Sequence, residues 1–298
     1  MDYSRYAASG NYESGDLVPV RLGMIGGGVM GEALLSRLLS QGLYAPDEIM
    51  LGEPSPERRQ VLTEQYGVKA TDSNKDVIET SKILLLAVKP QIFERVARDF
   101  QGARCDSPPL VLSILAGVPL AKLEDAAPGW PVVRAMPNTP STVGAGMTAI
   151  ALGSRTTPEH GELAREIFSA VGQVVQVPEG LMDAVTGLSG SGPGYVSIVI
   201  EALADGGVAS GLPRAIANQL AVQTVLGTAQ LVQKTGMHPA ELKDRVTSPG
   251  GTTIAGIACL EELGLRSALI EAVRVASSRS RELGKPTPQT NPQPNNER

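Results

Sequence analysis

The sequence has very few histidine, cysteine and aromatic residues. Among its 298 residues are 2 His, 2 Cys, 1 Trp, 6 Tyr and 3 Phe. Two histidines are too few for a histidine-built metal site, and Cys105 and Cys259 lie far apart, in no metal-binding or redox spacing. This cysteine usage predicts a reduced, cytoplasmic setting. Because 42% of the residues are hydrophobic but only 3% are aromatic, the core is expected to be aliphatic.

The chain also lacks clustered positive charge and long apolar runs. Its formal net charge is −5, and no basic stretch offers a face for phosphate backbones, so we expect no nucleic-acid partner. Glycine and charged residues interrupt the longest apolar stretches before they reach membrane-spanning length. The polar, acidic N-terminus contains no apolar signal segment. These absences predict a soluble protein that binds neither nucleic acid nor membrane.

The pattern of apolar residues changes once along the chain. From Val20 to about Val177, short apolar runs such as VRLGMIG and KILLLAVKP alternate with amphipathic segments. This alternation is typical of a parallel, doubly wound α/β sheet. From about Leu181 to Leu283 the strand pattern stops, and five Ala- and Gly-rich segments have helical periodicity with broad apolar faces. Such faces predict packing against a second copy of the chain.

These patterns divide the chain into four parts. We predict a Rossmann-type dinucleotide-binding domain over 19–180 and an all-helical dimerisation and substrate domain over 181–284. Residues 1–18 are expected to form a flexible extension, and the Pro-, Asn- and Gln-rich residues 285–298 a disordered tail.

A glycine-rich loop follows the first predicted strand. In GMIGGGVMG, the spacing Gly26-x-Gly28-x-x-Gly31 stands at the opening of a predicted helix. Gly26 allows a tight turn, Gly28 lets the backbone approach a pyrophosphate, and Gly31 permits close packing of helix and strand. The helix N-terminus then offers free amides to the anion. The loop therefore predicts a dinucleotide site.

The second predicted strand leaves the choice of dinucleotide open. Glu53 lies at its end, where an acidic side chain binds the ribose 2′-hydroxyl of NAD. Ser55, Arg58 and Arg59 follow at once, and an arginine there can bind the 2′-phosphate of NADP. Because the two signals conflict, either NADH or NADPH fits the sequence.

Five motifs beyond the glycine loop carry a family resemblance. They are AVKP, MPNTP, DAVTGLSGSGPGY, ALADGGV and ELKDRVTSPGGTTIAGI, beginning at Ala87, Met136, Asp183, Ala202 and Glu241. Together they resemble pyrroline-5-carboxylate reductases, and SPGGTT is specific to that family. The resemblance implies reduction of 1-pyrroline-5-carboxylate to L-proline with NADH or NADPH. It also implies dimers or rings of dimers, whose active site combines cofactor from one chain with part of a substrate pocket from the partner.

The resemblance also assigns site residues. The family usually has a small polar residue where Glu53 stands, and often Asn where Arg245 stands, so this chain departs from it at both positions. For Asn138 and Thr139, turn hydrogen bonds are the alternative. The implied cofactor contacts are Ile25, Gly26, Gly27, Gly28, Val29, Met30, Glu53, Ser55, Asn74, Ala87, Val88, Lys89, Pro90, Ile114, Leu115, Ala116, Asn138 and Thr139.

SPGGTT is the predicted substrate site. As a turn opening a helix, it would present the amides of Gly251, Thr252 and Thr253 to a small carboxylate. By resemblance, the Thr253 hydroxyl is the catalytic contact to the imine nitrogen, and Glu179 borders the same pocket. The alternative for Thr253 is an ordinary helix-capping threonine.

Other interpretations remain open from the sequence. Ser189 and Ser191 are expected to cap a helix rather than to bind ligand. A related 3-hydroxy-acid dehydrogenase would place a catalytic lysine where GSGPGY stands. A nucleotide-sensing module without turnover would need no pocket for a carboxylate and an imine.

Overall fold

The computed structural model describes residues 20–105 and 107–284. The predictions for residues 1–18 and 285–298 lie outside these residues. The described residues divide into two compact units, one formed by 20–105 and 107–190 together with 277–284, and the other by Ser191–Ala276. The boundary therefore falls ten residues after the predicted 180/181 junction (190 − 180). The end of the last helix belongs to the first unit.

An eight-stranded sheet forms the centre of the first unit, in the order β3-β2-β1-β4-β5-β6-β7-β8. Neighbouring strands from β3 to β6 are parallel, as predicted. The strands are β1 Val20–Ile25, β2 Ile49–Gly52, β3 Lys69–Thr71, β4 Ser81–Leu86, β5 Leu110–Ser113, β6 Val132–Met136, β7 Gly146–Leu152 and β8 Gly172–Gln176.

One edge of the sheet reverses direction, which corrects the expectation of a wholly parallel sheet. β7 runs antiparallel to β6, and β8 then pairs parallel to β7. The connection from Met136 to Gly146 is shorter than the dozen or so residues that a parallel crossover needs, so the chain can only fold back.

Helices cover both faces of the sheet because its inner strands are apolar on both sides. Leu22 and Met24 of β1 join one buried cluster, whereas Ile25 joins the other. This alternation is the two-residue period of a strand. The covering helices are α1 Val29–Ser40, α2 Pro56–Tyr66, α3 Asn74–Thr80, α4 Phe93–Gln101, α5 Leu120–Ala126, α6 Pro158–Ser169 and α7 Met182–Val185.

The second unit consists of the helices that the periodicity predicts. A π-helical turn, Thr186–Gly190, precedes it. α8 packs on α9 where Gly207 faces Ala217, and a Cβ on Gly207 would lie 3.2 Å from the Cβ of Ala217. The helices are α8 Gly192–Ala209, α9 Arg214–Thr235, α10 Pro239–Arg245, α11 Thr252–Glu262 and α12 Leu265–Leu283, the last passing into the first unit.

Among the described residues, none of the helices combines the length and the apolar character needed to cross a bilayer.

Candidate functional site

A cleft of about 250 Å³ opens in the first unit beside the ends of β1, β2 and β4. Carboxyl ends of parallel strands are where open α/β sheets bind ligands. Eight of its lining residues are predicted cofactor contacts: Ile25, Gly26, Gly28, Glu53, Asn74, Ala87, Val88 and Lys89. The sequence reasoning missed Gly52, Pro54, Asp72, Ile92, Arg95 and Val96.

The loop glycines fit the predicted roles. Gly26 has a φ of +105°, and a Cβ there would lie 2.6 Å from the carbonyl oxygen of Ala87. A Cβ on Gly31 would collide with the carbonyl of Gly26. Gly28, the N-cap of α1, has no atom within 4 Å of its Cβ position and faces the cleft. The space that a side chain would fill is therefore left for a ligand approaching the first amides of α1.

The Glu53 carboxylate is fixed at the end of β2. Its Oε2 accepts a hydrogen bond from the Gly27 amide at 2.9 Å, and its Oε1 accepts one from the Ser55 amide at 3.1 Å. Ser55 is the N-cap of α2, and its hydroxyl accepts from the Arg58 amide at 3.2 Å. Gly27 and Ser55 thus support the cleft from behind Glu53 and are not among its lining residues.

The remaining predicted cofactor contacts lie around the cleft in several environments. Ile114 extends the β4–β5 pairing, its amide donating to the Leu86 carbonyl at 3.0 Å. Leu115 is buried, so only its backbone could meet a ligand, whereas Ala116 is exposed. Val29 and Met30 open α1, and Pro90 begins a 3₁₀ turn. None of these six lines the cleft.

Asn138 holds the turn between β6 and β7. Its Oδ1 accepts from the Met147 amide at 2.9 Å, and its Nδ2 donates to the Ser189 carbonyl at 3.2 Å. Thr139 is exposed at the start of a 3₁₀ turn. In this structure, the Asn138 side chain therefore makes the kind of turn hydrogen bond that the sequence offered as the alternative to a cofactor contact.

The Glu179 side chain forms an internal ion pair in the first unit. Its Oε1 accepts from the Leu120 backbone amide and lies 3.1 Å from a guanidinium nitrogen of Arg134. Arg134 is only 7% exposed. Both of these bonds use Oε1, so they do not occupy Oε2. The contact of Glu179 with substrate remains a prediction.

The SPGGTT segment forms a tight turn followed directly by α11. The Gly251 amide donates to the Ser248 carbonyl at 3.1 Å, and Gly250 has a φ of +66°. Proline followed by a glycine with positive φ is the signature of a type II turn. The Gly251 amide is therefore used inside the turn, which corrects its assignment as a free anchor. Thr252 and Thr253, the first residues of α11, have amides with no acceptor inside the helix.

The capping role suggested for Ser189 and Ser191 is confirmed only in the position of one of them. Ser191 stands at the N-cap of α8, but its side chain makes no capping hydrogen bond. Its φ and ψ of −86° and −21° are already helical, because the π-helical turn runs straight into α8. The Ser189 hydroxyl instead accepts from the Asn138 Nδ2 at 3.4 Å.

Two features explain the missed cleft residues. Asp72 follows β3, a three-residue edge strand with no apolar run. Ile92, Arg95 and Val96 share one face by their i, i+3 and i+4 spacing, so this signal was present in the sequence. No group of three or more His, Cys, Asp or Glu side chains within 20–105 and 107–284 is placed to hold a metal ion.

Comparison with known families agrees with both units. Residues 179–283 match the family model described as pyrroline-5-carboxylate reductase dimerisation. Residues 21–117 match one described as NADP oxidoreductase, coenzyme F420-dependent.

Individual relatives align over nearly their full length. The chain is 59% identical to a pyrroline-5-carboxylate reductase of Synechocystis, over 89% of this chain and 99% of the relative. It is 41% identical to that of Escherichia coli, over 89% and 98%. A solved pyrroline-5-carboxylate reductase from Coxiella burnetii gives a TM-score of 0.84 at 34% identity, covering 90% and 99%. That of Plasmodium falciparum, with NADP bound, gives 0.80 at 30%, covering 91% and 100%.

Proposed function

The chain belongs to the pyrroline-5-carboxylate reductase family, and we propose that it reduces 1-pyrroline-5-carboxylate to L-proline with a nicotinamide dinucleotide. The observation that carries the proposal is the cleft at the strand ends, which Gly28 leaves open at the start of α1. When bound, the reduced nicotinamide supplies the hydride. The residues of the chain bind and orient the two reactants.

The dinucleotide is held by the loop and the strand ends. Gly28 admits the pyrophosphate to the first amides of α1, where the helix dipole favours negative charge. Lys89 adds a cation to the cleft wall after β4. Glu53 offers carboxylate oxygens to the adenosine ribose hydroxyls.

The imino acid is held through its carboxylate. The amides of Thr252 and Thr253 begin α11, a helix of 11 residues, and together with its dipole they form an anion site. Thr253 is half-buried, and none of the described residues hydrogen-bonds its hydroxyl. This hydroxyl orients the ring nitrogen. A protonated imine is already electrophilic, so the site needs no strong acid.

The decisive experiment follows a labelled hydride into the product. The full-length protein is mixed with 1-pyrroline-5-carboxylate and either NADH or NADPH carrying deuterium at both C4 positions, so that either face delivers the label. We expect oxidation of the dinucleotide and stoichiometric proline with deuterium at C5. Dinucleotide oxidation without labelled proline, or no oxidation with either dinucleotide, would rule out the proposed reaction.

The two alternatives from the sequence are less well supported. A 3-hydroxy-acid dehydrogenase needs a lysine where Gly190–Tyr195 stands, and this segment contains none. Membership of a family of reductases also argues against a sensing module without turnover.

We further propose that the protein works as a dimer or a ring of dimers. All residues of the second unit are described, and its fully buried apolar side chains are Ala204, Ala217 and Ala221. Large apolar side chains of its helices are instead exposed, among them Ile198, Leu203, Leu220, Leu226 and Leu260. Covering them with a second copy stabilises the unit. We place the protein in the cytoplasm, where Cys105 and Cys259 remain thiols.

A further inference from the structure

The adenosine end of the cleft is built around a carboxylate of fixed position. Both oxygens of Glu53 accept backbone amides, from Gly27 at 2.9 Å and from Ser55 at 3.1 Å. These bonds tie the end of β2 to the phosphate loop and to the start of α2. Since a side chain held by two amides cannot swing away cheaply, any group entering beside β2 meets its negative charge.

Arg58 does not neutralise this charge. Its Nε donates to the Gly27 carbonyl at 2.8 Å, and its guanidinium is paired with the Glu32 carboxylate. Glu32 also accepts from the Tyr66 hydroxyl at 3.0 Å, and burial together with this carboxylate raises the pKa of Tyr66. Arg58 thus joins α1 to α2 and does not line the cleft.

Arg59 does not line the cleft itself, but its guanidinium is bound to backbone and side-chain groups of three residues that do. It donates to the backbone carbonyls of Glu53 at 2.7 Å and Pro54 at 2.9 Å. Its guanidinium lies 3.7 Å from the Asp72 carboxylate. Asp72 lines the cleft, but Arg59 balances its charge, whereas no arginine or lysine of the described residues is paired with the Glu53 carboxylate.

The cations that do line the cleft belong to another wall. Lys89 follows β4, whereas Glu53 follows β2, and β1 lies between these strands. Two strand spacings amount to about 10 Å. Arg95 lies on α4, beyond Lys89 in the chain. At the end of β2, the charge that has no cationic partner among the described residues is therefore that of the Glu53 carboxylate.

We propose that Glu53, fixed by the Gly27 and Ser55 amides, makes this chain selective for NADH over NADPH. The proposal rests on the proposed function, in which this cleft holds the dinucleotide. The carboxylate accepts hydrogen bonds from the ribose hydroxyls of NADH. A 2′-phosphate adds about two negative charges beside Glu53, and like charges at a binding site reject the wrong ligand.

Direct binding tests the proposal without any chemistry. Dissociation constants of NADH and NADPH are measured by calorimetry on the full-length wild type, without substrate. We expect NADPH to bind at least about tenfold more weakly than NADH. Glu53→Ser, which places the family's usual kind of residue here, is expected to weaken NADH and strengthen NADPH. The ratio of the two constants should then change about tenfold or more.

Three further variants make the test specific. Glu53→Gln keeps an oxygen acceptor for the Gly27 amide but removes the charge, so it should improve NADPH binding even if Glu53→Ser loosens the loop. Glu57→Gln removes one charge from the start of α2 outside the cleft and should leave the ratio unchanged. Arg95→Ala tests one of the two cations that line the cleft and should not selectively weaken NADPH.

The outcomes separate this proposal from the proposed function. Equal or tighter binding of NADPH by the wild type, or an unchanged ratio in both Glu53 variants, overturns it. So does a selective loss of NADPH binding in Arg95→Ala. If the NADH preference is present but no proline forms from 1-pyrroline-5-carboxylate, the proposed reaction fails while the selectivity stands. If labelled proline forms but the wild type shows no preference for NADH, the selectivity proposal fails while the proposed reaction stands.

Discussion

A Cβ atom on Gly26 would lie 2.6 Å from the carbonyl oxygen of Ala87. The loop after β1 and the chain after β4 therefore approach each other so closely that the first motif glycine is a requirement of the fold. Gly28 differs, since its Cβ position is open and faces the cleft. Two glycines of one motif thus serve separate purposes, one for folding and the other for ligand approach.

This difference predicts opposite effects of two alanine substitutions. Gly26→Ala should lower the melting temperature because of the backbone collision and its φ of +105°. Gly28→Ala should change the free energy of unfolding by no more than about 0.5 kcal/mol. It should nevertheless weaken dinucleotide binding roughly tenfold. Calorimetric unfolding and binding titrations measure both. Equal loss of stability in the two variants would refute the division of roles.

The hydroxyl of Thr253 is predicted to act on the substrate rather than on the fold. Thr253→Ala should lower kcat/KM by about 1–3 kcal/mol in transition-state terms, because a directional hydrogen bond is lost. Thr253→Ser keeps the hydroxyl and should retain most of the activity. If the alanine variant matches wild type in steady-state kinetics, the hydroxyl has no part in the reaction.

The turn before α11 is predicted to set substrate affinity. Gly250→Ala puts a side chain at a φ of +66°, at a cost of about 1–2 kcal/mol, and displaces the Thr252 and Thr253 amides. KM for the imino acid should rise while the dissociation constant of the dinucleotide stays constant. Gly236→Ala is the matched control, since Gly236 has the same φ of +66° at the end of α9. A similar KM in both variants would argue against the anion site.

Glu179 is predicted to stabilise the first unit. Glu179→Gln leaves Arg134 buried without its counter-charge, and the free energy of unfolding should fall by about 1–3 kcal/mol. This estimate is below that for a fully buried pair, because the Glu179 side chain is 34% exposed. Denaturant unfolding gives the value. An unchanged unfolding free energy with a raised KM would instead assign the carboxylate to substrate.

The exposed apolar side chains of the second unit predict which substitution should dissociate the protein into monomers. Leu220→Asp places a charge on a side chain that is 53% exposed in α9, so association should weaken and the mass from light scattering should fall. Val61→Asp, on α2 of the first unit, is the control at 44% exposure and should keep the wild-type mass. An unchanged mass for Leu220→Asp would remove this surface from the interface.

Much of the fold follows from local patterns. Leu22, Met24 and Ile25 alternate between two buried clusters, so the two-sided burial of β1 is visible in its apolar run. β3 and β8 lack such runs because edge strands are partly exposed. The reversal at β7 depends on the length of a connection, which periodicity alone does not reveal.

The candidate site was predictable where it depends on backbone. Glycine spacing predicts a tight turn after β1 and another before α11. Gly26 and Gly250 both have a positive φ in the structure, as such turns require. Side-chain partners were not predictable, because they join distant parts of the chain. Arg58 bonds to Gly27, 31 positions earlier, so the arginine that suggested a 2′-phosphate site is already engaged.

A crystal structure with NADH and proline tests the central claim most directly. The account predicts the ribose hydroxyls within hydrogen-bonding distance of Glu53, and the proline carboxylate on the amides of Thr252 and Thr253. A proline carboxylate bound elsewhere with these two amides facing solvent, or a dinucleotide outside the cleft, would contradict it.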